Sequence, residues 1–307
     1  MIHKLIGTAL MAMAAAAAPI EWMTNLEVAG QRAKEEQKLL LVEFTGSDWC
    51  KACLLQKKKV LETPEFEDWA EKHCVAVEID VPNDSARVGG EQQKALNQML
   101  CDEYGVSSFP TLLIMTPDLV EVGGYRGAQS SPTKAIAELE KSFNTARCLE
   151  RALTKSGAER AAALCPFYQS PAGKPLHISY PLLKLLAETD PQDSMGLHAE
   201  YQNRRQIRQL EHDIITAPNP EARLARTEAT LTAAKPANVP YLRKRKGDLM
   251  RELALHIVRH AQSAQEVTRA RQLMEESIEY TDSEHEKTQL KRFIDSFFAR
   301  PSVFLRQ

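Results

Sequence analysis

An apolar run leading into a pair of cysteines constrains this chain more than any other feature. Leu39-Leu40-Leu41-Val42-Glu43-Phe44 is interrupted only by Glu43, the pattern of a central strand covered on both faces. Cys50 and Cys53 follow at once and open a stretch, 50–61, that reads as a helix. Around this unit residues 20–146 alternate between helical and strand patterns, which specifies an α/β sheet domain. The expected order is helix (25–37), strand, the cysteine-led helix, strand (74–80), helix (91–104), a hairpin and a closing helix (132–143). Thr63 and Pro64 supply an N-cap and a first helical residue for a further short helix. The hairpin strands fall at 111–115 and 119–123 and turn at Pro117-Asp118.

Beyond about Cys148 the strand signals stop. Seven helical segments run between residue 152 and residue 299, joined by short turns such as Ala217-Pro218-Asn219-Pro220. No repeated motif emerges. At 307 residues and 43% hydrophobic content, two domains are expected, 18–146 and 147–307. The fold class is a central mixed sheet flanked by helices, followed by an all-α domain. A net charge of −2 gives no global attraction to nucleic acid or an anionic membrane, and Arg243-Lys244-Arg245-Lys246 reads as a solvated helix face.

The first 17 residues read as an export signal. Lys4 precedes an apolar, alanine-rich stretch, Pro19 breaks it, and Ala15-Ala16-Ala17 suits cleavage after Ala17. The alternative is an uncleaved anchor, but the stretch is short for a hydrocarbon layer of about 30 Å. No cysteine directly follows it, which argues against a lipid anchor. The expectation is an exported, periplasmic protein with no stable membrane insertion. In such a compartment the six cysteines tend to pair or to do redox work.

Two cysteines three positions apart at a helix start fit redox chemistry. Their spacing lets the sulfurs close a small ring. Cys50 would face unsatisfied backbone N–H groups and the positive end of the helix, both of which favour its thiolate. Cys53, one turn in and more buried, would attack Cys50 to resolve a mixed disulfide. A structural zinc site uses the same spacing but needs a second ligand pair, and no further CxxC, CxxH or HxxC follows. His256 and His260 stand four apart without an accompanying acid and read as packing, so no metal and no cofactor are expected. Cys74 and Cys101 read as buried free thiols. Cys148 and Cys165 are left open between a structural disulfide and separate thiols.

Trp49-Cys50-Lys51-Ala52-Cys53 after a buried strand, with Phe109-Pro110-Thr111 ahead of another, resembles the thioredoxin superfamily. The closer likeness rests on Thr45-Gly46-Ser47-Asp48-Trp49-Cys50 and Thr63-Pro64-Glu65-Phe66. It is to secreted bacterial thioredoxin-like proteins of the DUF255/thioredoxin-7 type, akin to the C-terminal domain of thiol:disulfide interchange proteins. The resemblance covers about residues 20–146. It implies a thioredoxin-like fold, Cys50 as nucleophile, Cys53 as resolving thiol, and a cis proline at Pro110. Trp49, Phe109 and Pro110 would contact substrate. Glu43 falls where the family often places a buried proton acceptor; an edge-facing surface residue is the other reading. Implied partners are protein thiols or disulfides and an upstream electron donor, membrane-bound or soluble. The chain departs from ordinary thioredoxins in carrying Lys51-Ala52 inside the motif and Lys58 where they have a helix proline. A competing reading makes the helical half the functional part, recruiting a partner, with the dithiol as a redox switch.

Overall fold

The computed structural model describes residues 20–169, 178–234 and 236–299. The leader expected over 1–17 lies outside the described residues. The chain divides into two compact units: the described part of Met1–Asn83 with Tyr104–Lys155, and Asp84–Glu103 with the described part of Ser156–Gln307.

The first unit holds a five-stranded mixed sheet in the order β1 (Trp22–Met23), β3 (Cys74–Asp80), β2 (Leu39–Thr45), β4 (Thr111–Met115), β5 (Glu121–Arg126). β2 is central, parallel to β3 and antiparallel to β4, and every residue from Leu40 to Thr45 is buried. That burial on both faces explains its nearly unbroken apolar run. Helix α1 (Leu26–Glu36) starts at Asn25, whose side chain accepts from the Val28 N–H at 2.9 Å. Helix α2 (Lys51–Gln56) continues as a π-helical turn, Lys57–Leu61.

Helix α3 (Pro64–His73) begins with Pro64 as expected, but Thr63 does not cap it. Its hydroxyl donates instead to the Val60 carbonyl at 2.6 Å, closing the π turn. In α3 the Phe66 and Trp69 rings meet at a tilt at 5.7 Å, and Trp69 meets Phe143 of α5 (Pro132–Leu153) edge-on at 6.1 Å. Phe66 is completely buried in this cluster. Phe66→Ala should cost about 3–5 kcal/mol, read as a lower denaturation midpoint with an unchanged slope.

The second unit is built from α4 (Glu91–Glu103), α6 (Gly157–Leu164), α7 (Tyr180–Glu188), α8 (His198–Ile215), α9 (Pro220–Thr232), α10 (Val239–His260), α11 (Ala264–Glu276) and α12 (Glu284–Phe297). Its described residues thus include α4, a helix that the chain inserts between β3 and β4. Glu103 at the end of α4 accepts from the Tyr180 N–H at the head of α7 and pairs with Arg208 of α8 at 2.6 Å. Arg208 also lies over the Tyr180 ring at 4.7 Å. The basic run in α10 is less solvated than its sequence suggests. Arg245 pairs with Glu211 and Lys246 with Glu228, both at 2.8 Å, while Arg243 and Lys246 cover the Tyr280 ring. His256 and His260 lie ring against ring at 4.5 Å, and Phe298 closes a core with Val258, Met274 and Ile294.

Candidate active site

Because β2 and β3 run parallel in register, Thr45 beside Asp80, their ends deliver two loops to one edge of the sheet. These loops are stapled together. Asp80 accepts from the Ser47 N–H at 2.8 Å and from its hydroxyl at 2.6 Å, and Asp48 accepts from the Asn83 N–H at 2.8 Å. The Trp49 indole N–H donates to the Val81 carbonyl at 2.8 Å. Gly46 accepts from the Cys50 N–H at 2.9 Å and leaves no room for a side chain: a Cβ there would lie 2.4 Å from the Trp49 ring. Gly46→Ala should therefore displace the indole and destabilise the fold by about 1–3 kcal/mol, visible as changed tryptophan emission with a lowered melting temperature.

Cys50 is the N-cap of α2 and Cys53 lies one turn in; the two form a disulfide. The Cys53 N–H points at the Cys50 sulfur at 3.1 Å, a donor that would stabilise negative charge there. Cys50 is the more exposed of the pair, 6% against 2%. β4 runs antiparallel to β2 with Thr111 beside Phe44, so the Phe109–Pro110 bond arrives at the same edge. That bond is cis. The Phe109 ring meets the Trp49 ring edge-on at 5.4 Å. Trp49 itself stays 44% exposed.

Glu43 lies farther down β2, on the face it shares with its register neighbours Glu78 of β3 and Leu112 of β4. It is buried, which removes the edge-facing reading. Gln56 at the end of α2 donates to the Tyr125 hydroxyl on β5, and Lys57 pairs with Glu78 on β3 at 3.1 Å. Residues of one helical segment thus reach strands on either side of Glu43, so the helix that carries Cys53 roofs this acid. Neither Glu43 oxygen has a hydrogen-bond partner among the described residues. Burial first, and the negative charge of Glu78 second, push its pKa up to about 8, against the pull of Lys57. Gln56 also accepts from the Gln129 N–H at 2.7 Å, fixing the end of the helix to the loop after β5.

Of the residues singled out from sequence, the structure joins Cys50 to Cys53 and Trp49 to Phe109, and places Pro110 at their edge of the sheet. Sequence reasoning missed Gln56, Lys57, Glu78 and Asp80. Gln56 had a signal: it is a polar residue at the helical spacing Cys53, Gln56, Val60, the buried stripe of this segment. The remaining thiols Cys74, Cys101, Cys148 and Cys165 are free, so the disulfide left open for the last two is not formed. Burial pushes the Cys74 and Cys101 thiols up to about 12, which keeps them protonated and unreactive.

Residues 26–143 match the family model of a thioredoxin-like domain. A disulfide bond reductase of Chlamydia pneumoniae, DsbH, is 35% identical over 100 residues, covering 33% of this chain and 58% of that protein. The thioredoxin-related protein DsbJ of the same organism is 30% identical over 103 residues, 34% of this chain and 29% of its own length. The chain therefore spans little more than half of the first relative and less than a third of the second. Among solved structures, a DsbH oxidoreductase is similar at 26% identity with a TM-score of 0.39, over 47% of this chain and 95% of that one. The oxidised C-terminal domain of Neisseria meningitidis DsbD is similar at 21% identity with a TM-score of 0.31, over 40% of this chain and 99% of that one. Residues 26–143 make up a thioredoxin-like domain, similar in sequence to bacterial thioredoxin-related proteins.

Proposed function

We propose that this protein is an exported thiol:disulfide oxidoreductase that exchanges electrons with protein disulfides through Cys50 and Cys53. The observation that carries the reading is a disulfide at the head of a helix, at the sheet edge that also holds Trp49, Phe109 and a cis proline. In the reductive direction the Cys50 thiolate attacks a substrate disulfide. A mixed disulfide forms and one substrate sulfur leaves as thiolate. Cys53 then gives up its proton and attacks the Cys50 sulfur, which expels the second substrate thiolate. The substrate ends with two more electrons and two protons, and the protein with its Cys50–Cys53 bond. A dithiol donor upstream must reopen that bond for the next turnover.

Glu43 is the proposed acceptor of the Cys53 proton. It lies under the helix bearing Cys53, and a carboxyl near 8 can take a proton and return it at ambient pH. Trp49, Phe109 and Pro110 would hold the substrate chain against the disulfide. The 35% identical relative, a disulfide bond reductase, favours the reductive direction. Export rests on the leader pattern around Lys4 and Ala15-Ala16-Ala17; among the described residues no helix is long and apolar enough to cross a membrane. The direct test is dithiothreitol-coupled reduction of insulin by the full chain, with turnover above the dithiothreitol background as the expected result.

A further inference from the structure

Five large hydrophobic side chains are strongly exposed among the described residues, and three of them, Trp49, Leu54 and Leu55, fall within seven positions around the disulfide. Leu54 and Leu55 are 51% and 53% exposed on the outer side of α2, the side opposite the buried stripe of Cys53, Gln56 and Val60. Nothing in folding requires leucine at either place, where a polar residue would be the ordinary choice. The same outer side carries Lys51 before the leucines and Lys58 and Lys59 after them, spaced as one helix face. All three lysines are exposed and none makes an ion pair among the described residues, whereas their neighbour Lys57 turns inward to Glu78. The acids closest in sequence do little to offset this charge. Asp48 is engaged by the Asn83 N–H, and Glu62 follows only where the helix has ended.

A face with an apolar centre and three unneutralised lysines fits one kind of occupant, an acidic stretch of chain carrying an apolar side chain. We propose that this outer face of α2 selects substrate segments in which the reacting cysteine is flanked by aspartate or glutamate and a large apolar residue. The inference rests on the oxidoreductase reading above. A polypeptide is favoured over an anionic membrane because the face begins at the disulfide itself. Whatever rests on Leu54 and Leu55 is then within a few residues of the reacting sulfur.

The test uses two disulfide-bridged peptides of one frame, each with a leucine beside the cysteine, one flanked by aspartates and the other by lysines. With the full reduced chain at low ionic strength, kcat/KM should be at least about tenfold higher for the acidic peptide, a preference that shrinks in salt. The double variant K58E/K59E should erase or reverse that preference, and L54S/L55S should slow both peptides several-fold. All four substitutions lie on an exposed face, and unchanged circular dichroism would confirm intact folding. Equal rates for the two peptides, unaltered by K58E/K59E, would overturn the inference while insulin reduction kept the wider reading alive. Binding to phosphatidylglycerol vesicles that K58E/K59E abolishes, without peptide discrimination, would also overturn it and assign the face to a membrane. Loss of activity on insulin and both peptides alike would remove the wider reading and this one with it.

Discussion

Cys50→Ser should lower disulfide reduction by on the order of 10³-fold or more, to the level of the dithiothreitol background. The size follows from what the residue does in the proposed cycle: it forms the new bond to substrate. Cys53 is the more buried partner, while burial holds Cys74 and Cys101 in the unreactive thiol form. Cys53→Ser should behave differently. The first attack still proceeds, but nothing expels the second substrate thiolate, so a mixed disulfide through Cys50 should accumulate and be recovered by mass mapping. The two variants separate nucleophile from resolving thiol, which equal losses of turnover alone could not do.

Glu43→Gln should have two effects of different kinds. Folding raises this carboxyl from its ordinary 4.5 to about 8, so between those values the native state keeps a proton that the unfolded chain has released. Stability must then fall as pH rises through that window, by up to about 1.4 kcal/mol per pH unit, and level off above it. The glutamine variant has no proton to lose. Near pH 5 it should match the unaltered protein, and at pH 9 it should be clearly the more stable, as denaturant titration at both pH values would show. In the second effect, exchange slows by roughly tenfold or more because the proposed acceptor of the Cys53 proton is gone. A variant that is both more stable at alkaline pH and slower at exchange marks a group placed for chemistry at the expense of stability. A variant that is merely more stable would leave Glu43 buried but without a role.

The parts of this molecule that sequence made legible are those whose cause is local. The apolar run of β2, the cysteine spacing and Pro64 at the head of α3 each act through neighbouring residues. Strand β1 went unseen because two residues, Trp22 and Met23, pair only with Ala76 and Val77 and are too short to show alternation. The second hairpin strand, expected at 119–123, instead spans Glu121–Arg126. Gly123 and Gly124 both lie inside β5, where Gly124 meets the Leu112 carbonyl so closely that a Cβ would lie 2.1 Å from it. The closing helix, expected over 132–143, continues as α5 to Leu153. Ala146, Leu149 and Ala152 extend its buried stripe, and Asn144 bonds to Arg147 on the surface.

The same division holds within the site. Cys50 and Cys53 need no distant partner to be read, and their pairing is visible in their spacing. Asp80, Glu78 and Gln56 acquire meaning only across 33, 21 and 69 positions, through Ser47, Lys57 and Tyr125. No periodicity over a short window carries that information. Glu43 stands between the two cases: its place in the run was evident, but only the register with β3 and β4 shows that it is walled in on both sides.

The central claim is that Cys50 and Cys53 open and close together as one two-electron couple. Equilibrating the full chain across a series of glutathione ratios, quenching with acid and mapping every cysteine by mass spectrometry tests it most directly. The account predicts a single transition in which both thiols disappear in step, while Cys74 and Cys101 stay reduced throughout. A pair that remains reduced across the whole series, or a disulfide that joins Cys50 to some other cysteine, would contradict it.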